Sequence, residues 1–210
     1  MLDYTADFYN FTKIYFSTKT TMNLKLLLFS ALVSFCSLAG PIKHEIRMAE
    51  PFSHYFEVKT TVDVSKESNF IDLKMAAWTP GSYLIREFAK NVESVTAESN
   101  GQKIAISKIS KNTWRVPLTA GLKQISVNYR VYAYEMSVRT SFLDDAHGYI
   151  NPASVLMYAP KFAAGPQELS IIPHKDFKKV STALKNVGGF HYIAKNLDEL
   201  IDSPIEIGNH

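Results

Sequence analysis

The densest run of side chains able to do chemistry spans residues 77–91, Ala-Trp-Thr-Pro-Gly-Ser-Tyr-Leu-Ile-Arg-Glu-Phe-Ala-Lys-Asn. Trp78 and Tyr83 flank Pro80-Gly81-Ser82, and Arg86 and Glu87 follow. Proline fixes φ and glycine supplies a positive φ, so Pro80 and Gly81 suit the two central positions of a type II turn. Two uses fit this pattern. One is a packed strand-to-helix corner, since aromatic rings bury large areas, with Arg86 and Glu87 in local ion pairs. The other is a contact surface at a cleft or domain boundary, for which Trp78, Pro80, Gly81, Ser82, Tyr83, Arg86 and Glu87 are the candidate residues.

Catalytic and metal-binding chemistry finds no comparable footing. The six histidines are His44, His54, His147, His174, His191 and His210, and no two stand four residues apart. A zincin motif needs two histidines at i and i+4 with a glutamate beside the first. His44-Glu45 begins like one, but Met48 holds the second ligand position and the surrounding pattern is that of a strand. There is no G-x-S-x-G elbow, and Gly81-Ser82 after a proline is ordinary turn chemistry. Asp144-Asp145, with His147 close by, has the spacing of an acid–base pair or a hard-cation site; in a loop it reads first as a solvated pair. No residue is therefore assigned a catalytic or metal-ligating role.

The elements that must position these residues are mostly strands. Phe56, Val58, Thr60, Val62 and Val64 alternate with polar neighbours, as do Ile71, Leu73 and Met75, then Trp114, Val116 and Leu118. Ile125, Val127, Tyr129, Val131 and Ala133 share one face of a longer strand, and Leu169–Ile171 and Phe190–Ala194 give two shorter ones. Period two with β-branched residues marks half-buried strands, and Asn100-Gly101 tolerates the positive φ angles of a tight hairpin. Helix is confined to a turn or two over residues 84–91 and a short segment begun by Asn196 as cap, with Glu199 reaching back. Pro204 stops it. The expected fold is all-β, an antiparallel β-sandwich with one or two short helices.

Upstream of the strands, Met22-Asn23-Leu24-Lys25 opens an apolar run from Leu26 to Phe35 that closes on Ser37-Leu38-Ala39. The run is shorter than the roughly 20 residues a membrane span needs. A positive start, a short apolar core and small residues at the cleavage positions describe a secretory signal peptide over residues 22–39, preceded by an upstream leader over 1–21. No stable membrane span is expected after its removal, and the destination is secreted or periplasmic. Cys36, the one cysteine, leaves with the signal; lipidation there is the lesser reading because bulky Phe35 precedes it. A net charge of +3 with no basic run gives nucleic-acid binding no electrostatic footprint.

Trp78-Thr79-Pro80-Gly81-Ser82-Tyr83, continued by Leu84-Ile85-Arg86-Glu87-Phe88, resembles the signature of the N-terminal domain in the glycyl aminopeptidase family of zinc metallopeptidases. Residues 196–208, Asn-Leu-Asp-Glu-Leu-Ile-Asp-Ser-Pro-Ile-Glu-Ile-Gly, resemble the junction where that family enters its catalytic domain. The resemblance implies a β-sandwich over residues 40–195, then a linker and the start of a thermolysin-like domain over 196–210. It also implies zinc in the full-length family but no cofactor in this chain, and peptide substrates reached through a missing or separately encoded catalytic partner. On that reading the chain is inert alone and helps shape a partner's substrate cleft, with the turn around Pro80-Gly81 and the loop from Ser141 to Pro152 as contacts. A free-standing secreted module binding peptide, glycan or protein is the alternative. Against it stands the apolar tail Leu200, Ile201, Ile205 and Ile207, which a following domain would be expected to cover.

Overall fold

The computed structural model describes residues 42–79, 82 and 84–210. The leader, the signal peptide and Cys36 lie outside the described residues, as do Pro80, Gly81 and Tyr83.

The fold is all-β. Its largest sheet has eight strands in the order β14-β15-β12-β1-β2-β8-β4-β5. In chain order these are β1 (Ile42–Arg47), β2 (Tyr55–Asp63), β4 (Val92–Ser99), β5 (Gln102–Ile104), β8 (Gln124–Tyr132), β12 (Gln167–Ile172), β14 (Lys185–Gly188) and β15 (His191–Ala194). A second sheet runs β11-β3-β7-β6, from β3 (Phe70–Met75), β6 (Ser107–Ser110), β7 (Thr113–Pro117) and β11 (Met157–Tyr158). The third, β13-β16-β10-β9, uses β9 (Phe142–Leu143), β10 (Gly148–Ile150), β13 (Lys179–Thr182) and β16 (Ile205–Gly208). Two short helices complete it, α1 (Pro152–Val155) and α2 (Leu197–Ile201).

Period-two patterning explains the layers. β2 and β8 pair along nine residues, from Tyr55 opposite Tyr132 to Asp63 opposite Gln124. Phe56, Val58 and Val62 are buried on one strand, and Ile125, Val127, Tyr129 and Val131 on the other. Ile71, Leu73, Met75, Trp114 and Val116 of the second sheet join the same buried cluster, as do Leu143, Ile150, Ile205 and Ile207 of the third. Burying one face of each sheet in a shared core is the stable solution for strands that are apolar on one side only. The Tyr129 hydroxyl crosses between layers, accepting the Met157 N–H at 2.8 Å.

Three details depart from the expectation or refine it. The eight-stranded sheet is mixed rather than antiparallel, because β1 pairs in parallel with β12, Ile42 opposite Gln167 through Arg47 opposite Ile172. That pairing joins strands far apart in sequence, so no local turn signal announces it. At the β4–β5 hairpin, Asn100 and Gly101 both have positive φ, 50° and 77°, as expected. The apolar tail is corrected: Leu200, Ile205 and Ile207 are fully buried inside this fold, where β16 sits between β13 and β10. No following domain is required to cover them. α2 is capped as expected, with Asn196 Oδ1 accepting the Glu199 N–H at 2.9 Å while the Glu199 carboxylate accepts the Lys195 N–H.

Candidate functional site

The loop between β3 and β4 is tied at its base and open at its tip. The Ala77 carbonyl accepts N–H groups from both Arg86, at 2.8 Å, and Glu87, at 3.3 Å, closing the loop where it leaves the sheet. Ser82 N–H donates to the Thr79 carbonyl at 3.1 Å. Glu87 turns the chain with a φ of 50°, and a 3₁₀ turn over Phe88–Asn91 then buries Phe88 and Ala89 as an anchor. Within this rigid frame Trp78, Leu84 and Ile85 are exposed. The packed-corner reading therefore holds for Phe88 and Ala89, and Trp78 is not part of the core.

The charged pair of this segment separates. Glu87 bonds Lys111 at 2.8 Å, and that hydrogen bond, aided by the lysine charge, holds the Glu87 carboxyl below the usual glutamate range. Arg86 makes no such pair; its Nε is buried and has no hydrogen-bond partner among the described residues.

The 3₁₀ turn faces the β8–β9 connection across a cleft of about 360 Å³, lined by Lys90, Asn91, Tyr132, Tyr134, Glu135 and Ser141. The far wall is pinned by buried hydroxyls. Ser141 Oγ lies 2.7 Å from Ser154 Oγ and accepts the Asn151 N–H at 2.9 Å, while Asn151 Oδ1 caps α1 through the Ala153 N–H at 3.1 Å. Pro152 in the first turn of α1 costs nothing there, since its missing N–H has no intrahelical partner. Among the described residues none of the candidates Trp78, Ser82, Arg86 and Glu87 lines this cleft; the segment that follows them reaches it at Phe88, Lys90 and Asn91, and the Ser141–Pro152 loop reaches it at Ser141.

Beside the cleft runs a line of rings. His54 and Tyr134 are 3.8 Å apart, Tyr134 and Phe142 stack at 5.2 Å, and Phe142 meets His147 at 5.3 Å. His54 Nδ1 approaches the Leu143 carbonyl at 2.6 Å, which fixes the first ring. Asp144 does not act as one of a carboxylate pair. Its Oδ1 accepts the N–H groups of Ala146 and His147 at 2.8 and 3.0 Å. Partial burial pushes its carboxyl up, but those N–H donors and the neighbouring histidines outweigh burial and hold it below the ordinary aspartate value. Among the described residues no group of three or more His, Cys, Asp or Glu side chains is placed to hold a metal ion. The described residues therefore offer no ligand set for zinc.

Tyr132, Tyr134, Lys90 and Asn91 were not singled out in the sequence. The signal was present at the end of β8 and just past it, where Tyr132, Tyr134 and Met136 keep large apolar groups on the phase opposite to the buried Ile125–Ala133 face. Also unforeseen is a buried polar chain: His44 Nδ1 lies 3.2 Å from Thr60 Oγ1, which lies 3.4 Å from the Tyr129 hydroxyl. The cleft thus presents aromatic edges, both signs of charge and fixed hydroxyls.

Residues 43–209 match the Peptidase M61 N-terminal domain. An aminopeptidase N family protein from Idiomarina loihiensis has a similar structure, with a TM-score of 0.75 and 32% identity over 80% of this chain. This chain spans 29% of that protein's length. A substrate-bound mutant of an M1 zinc metallopeptidase from Deinococcus radiodurans gives a TM-score of 0.48 at 11% identity, covering 80% of this chain and 41% of that one. Aminopeptidase A from Legionella pneumophila gives 0.48 at 11% identity, covering 81% of this chain and 21% of that one. No curated protein sequence matches the chain. With the match running through every described strand, and with the resemblance at Trp78–Phe88 and Asn196–Gly208 pointing the same way, the chain belongs to the family of peptidase M61 N-terminal domains.

Proposed function

We propose that this chain is the non-catalytic β domain of a secreted, glycyl-aminopeptidase-like metallopeptidase, and that it helps shape the substrate cleft of a catalytic portion carrying the HExxH zinc site. The observation that carries this reading is the match of residues 43–209 to a peptidase N-terminal domain that makes up 29% of its Idiomarina relative. Zinc and peptide hydrolysis belong to the catalytic portion, supplied by a longer version of the chain or by a separately encoded partner. The apolar run Leu26–Phe35 with its small-residue cleavage site supports export to the periplasm or medium. Among the described residues no helix is long and apolar enough to cross a membrane.

The test is complementation. The catalytic remainder of the Idiomarina protein, produced without its own N-terminal domain, is mixed with this chain and zinc and assayed on glycyl and alanyl chromogenic amides. Association and a gain in turnover are expected. A remainder that neither binds this chain nor changes its rate would refute the reading. The free-standing binding module remains the second reading because the burial of Ile205 and Ile207 removes the apolar tail as an objection to it.

A further inference from the structure

One strand of the second sheet is left half-covered. β3 pairs with β7 from Phe70 to Lys74, but on its other side β11 meets it only at Lys74 and Met75. The Met75 N–H donates to the Asn112 carbonyl and the Asn69 carbonyl accepts the Leu118 N–H, each at 2.9 Å. Main-chain groups alternate in direction along a strand. Asn69, Ile71, Leu73 and Met75 therefore address β7, while Phe70, Asp72 and Lys74 address the opposite side. Lys74 is matched there by Tyr158. Phe70 and Asp72 have no strand beside them among the described residues, and their N–H and C=O groups form two rungs roughly 7 Å apart.

The chain itself opens this gap. Were β11 to continue past Tyr158 in register, Pro160 would fall opposite Asp72. Proline has no N–H to give, and the chain instead turns away in a 3₁₀ turn over Pro160–Phe162. That turn forms the far wall of a groove of about 440 Å³ whose near wall includes Glu67, Phe70, Asp72 and Lys74. Glu67 accepts a bond from Lys161 at 2.7 Å, and Asp72 accepts two from Arg115 at 2.7 and 2.8 Å, so both carboxylates are neutralised. Lys74 makes no salt bridge among the described residues and leaves the groove with an uncompensated positive charge. The Arg115 guanidinium also lies 3.7 Å from the centre of the exposed Phe70 ring and holds that ring at the groove's edge.

We infer that this open edge of β3 is a binding site for an extended peptide, which adds a strand beside Phe70 and Asp72 and presents an acidic side chain to Lys74. The occupant follows from the chemistry of the edge. Donors and acceptors at a strand's two-residue repeat are matched by extended polypeptide, and not by a helix, whose main-chain groups are already paired. The charge left on Lys74 selects an acidic peptide over a basic one. The groove shares no residue with the cleft at Lys90 and Ser141, and its use does not depend on a catalytic portion joining the chain.

The probe is a fluorescein-labelled, amidated hexapeptide, Thr-Val-Glu-Val-Thr-Ser, titrated with this chain and read by anisotropy. A dissociation constant below about 1 mM is expected. Two further probes carry N-methyl groups on alternate residues, one on the odd set and one on the even set. Only one set of N–H groups can face β3, so one probe is expected to bind about tenfold more weakly and the other like the unmethylated peptide. Lys74→Glu is expected to weaken binding about fivefold, and a peptide with lysine in place of glutamate is expected to restore it. Phe70→Pro removes an outward N–H without touching the β7 ladder and is expected to weaken binding too. The N-methylated pair reads the parent chain and carries the test if that variant does not fold. No saturable binding up to about 1 mM, or equal losses from both N-methylated probes, would overturn the inference. So would a dimer in sedimentation that Lys74→Glu abolishes, which would give the edge to a second copy.

Discussion

Acidification from pH 8 to pH 5 should remove about 2 kcal/mol of folding free energy through one side chain, His44. The imidazole is 2% exposed in the middle of β1, with Nδ1 3.2 Å from Thr60 Oγ1. Burial drives its pKa down from 6.5 to about 4, and Gln167 opposes this only in part. His44 Nε2 and Gln167 Oε1 are both buried without a hydrogen-bond partner among the described residues, so the Gln167 side chain compensates an added charge only weakly. The folded-state pKa is depressed, so the folded chain binds fewer protons than the unfolded chain between pH 6.5 and 4. The stability His44 contributes is complete above the unfolded value and is lost as pH falls toward the folded one. Integrating between those two values gives roughly 2 kcal/mol lost by pH 5 and approaches about 3 kcal/mol near pH 4. The carboxylates of Asp63, Asp72 and Asp144, whose pKa values are lowered, shed their stability below this window. The comparison is with His44→Asn, whose amide occupies the Nδ1 position, keeps the Thr60 contact and does not titrate. Urea unfolding followed by tryptophan fluorescence, with Trp114 as the buried reporter, gives both stabilities at each pH. The difference between parent and variant should shift by about 2 kcal/mol from pH 8 to pH 5. Parallel pH profiles for the two proteins would refute the reasoning.

Three further outcomes are expected. The chain alone, supplied with zinc, should show no chelator-sensitive turnover of glycyl or alanyl amides; such turnover by pure protein would place a metal site where the described residues offer none. Phe56→Ala, at a fully buried position in the β2 core, should cost about 3–5 kcal/mol in denaturant unfolding. A cost below about 1 kcal/mol would mean that the core collapses around it. Gly101→Ala should cost about 1 kcal/mol although nothing lies within 4 Å of the added methyl group, because the φ of 77° alone is unfavourable for an L side chain. A neutral result in thermal unfolding would show that the hairpin has moved to another turn.

The strands that carry the core were legible because each states its own case. Phe56 to Val62 and Ile125 to Ala133 alternate so regularly that their inward faces, all buried, could be named in advance. The short edge strands were not legible. Lys185–Gly188 is exposed along its whole length, and an edge strand with no buried face has no period-two pattern to show. Ile205 and Ile207 were recognised as apolar, but their partners on β10 and β13 are set by pairings that local sequence does not encode. The site divides in the same way. Trp78 was legible as a candidate for a contact surface, and it is exposed, whereas Pro80, Gly81 and Tyr83 lie outside the described residues. The Ser141–Pro152 loop was a candidate too, but its place across from Lys90 was not legible, since bringing Tyr134 and Ser141 against Lys90 depends on the β2–β8 and β4–β8 registers.

The parallel pairing of β1 with β12 has a consequence for how the molecule is made. It is the seam of the large sheet, with the late strands β14, β15 and β12 on one side and the early strands β1, β2, β8, β4 and β5 on the other. Ile42 must wait for Gln167, about 125 residues downstream, before one of its two ladders exists. Until then β1 is an unpaired edge, a template for pairing with the wrong neighbour. Closing so long a loop is also slow. A chain emerging from a ribosome thus cannot lock its main sheet early, which makes synthesis of the last quarter the event that commits it to its fold.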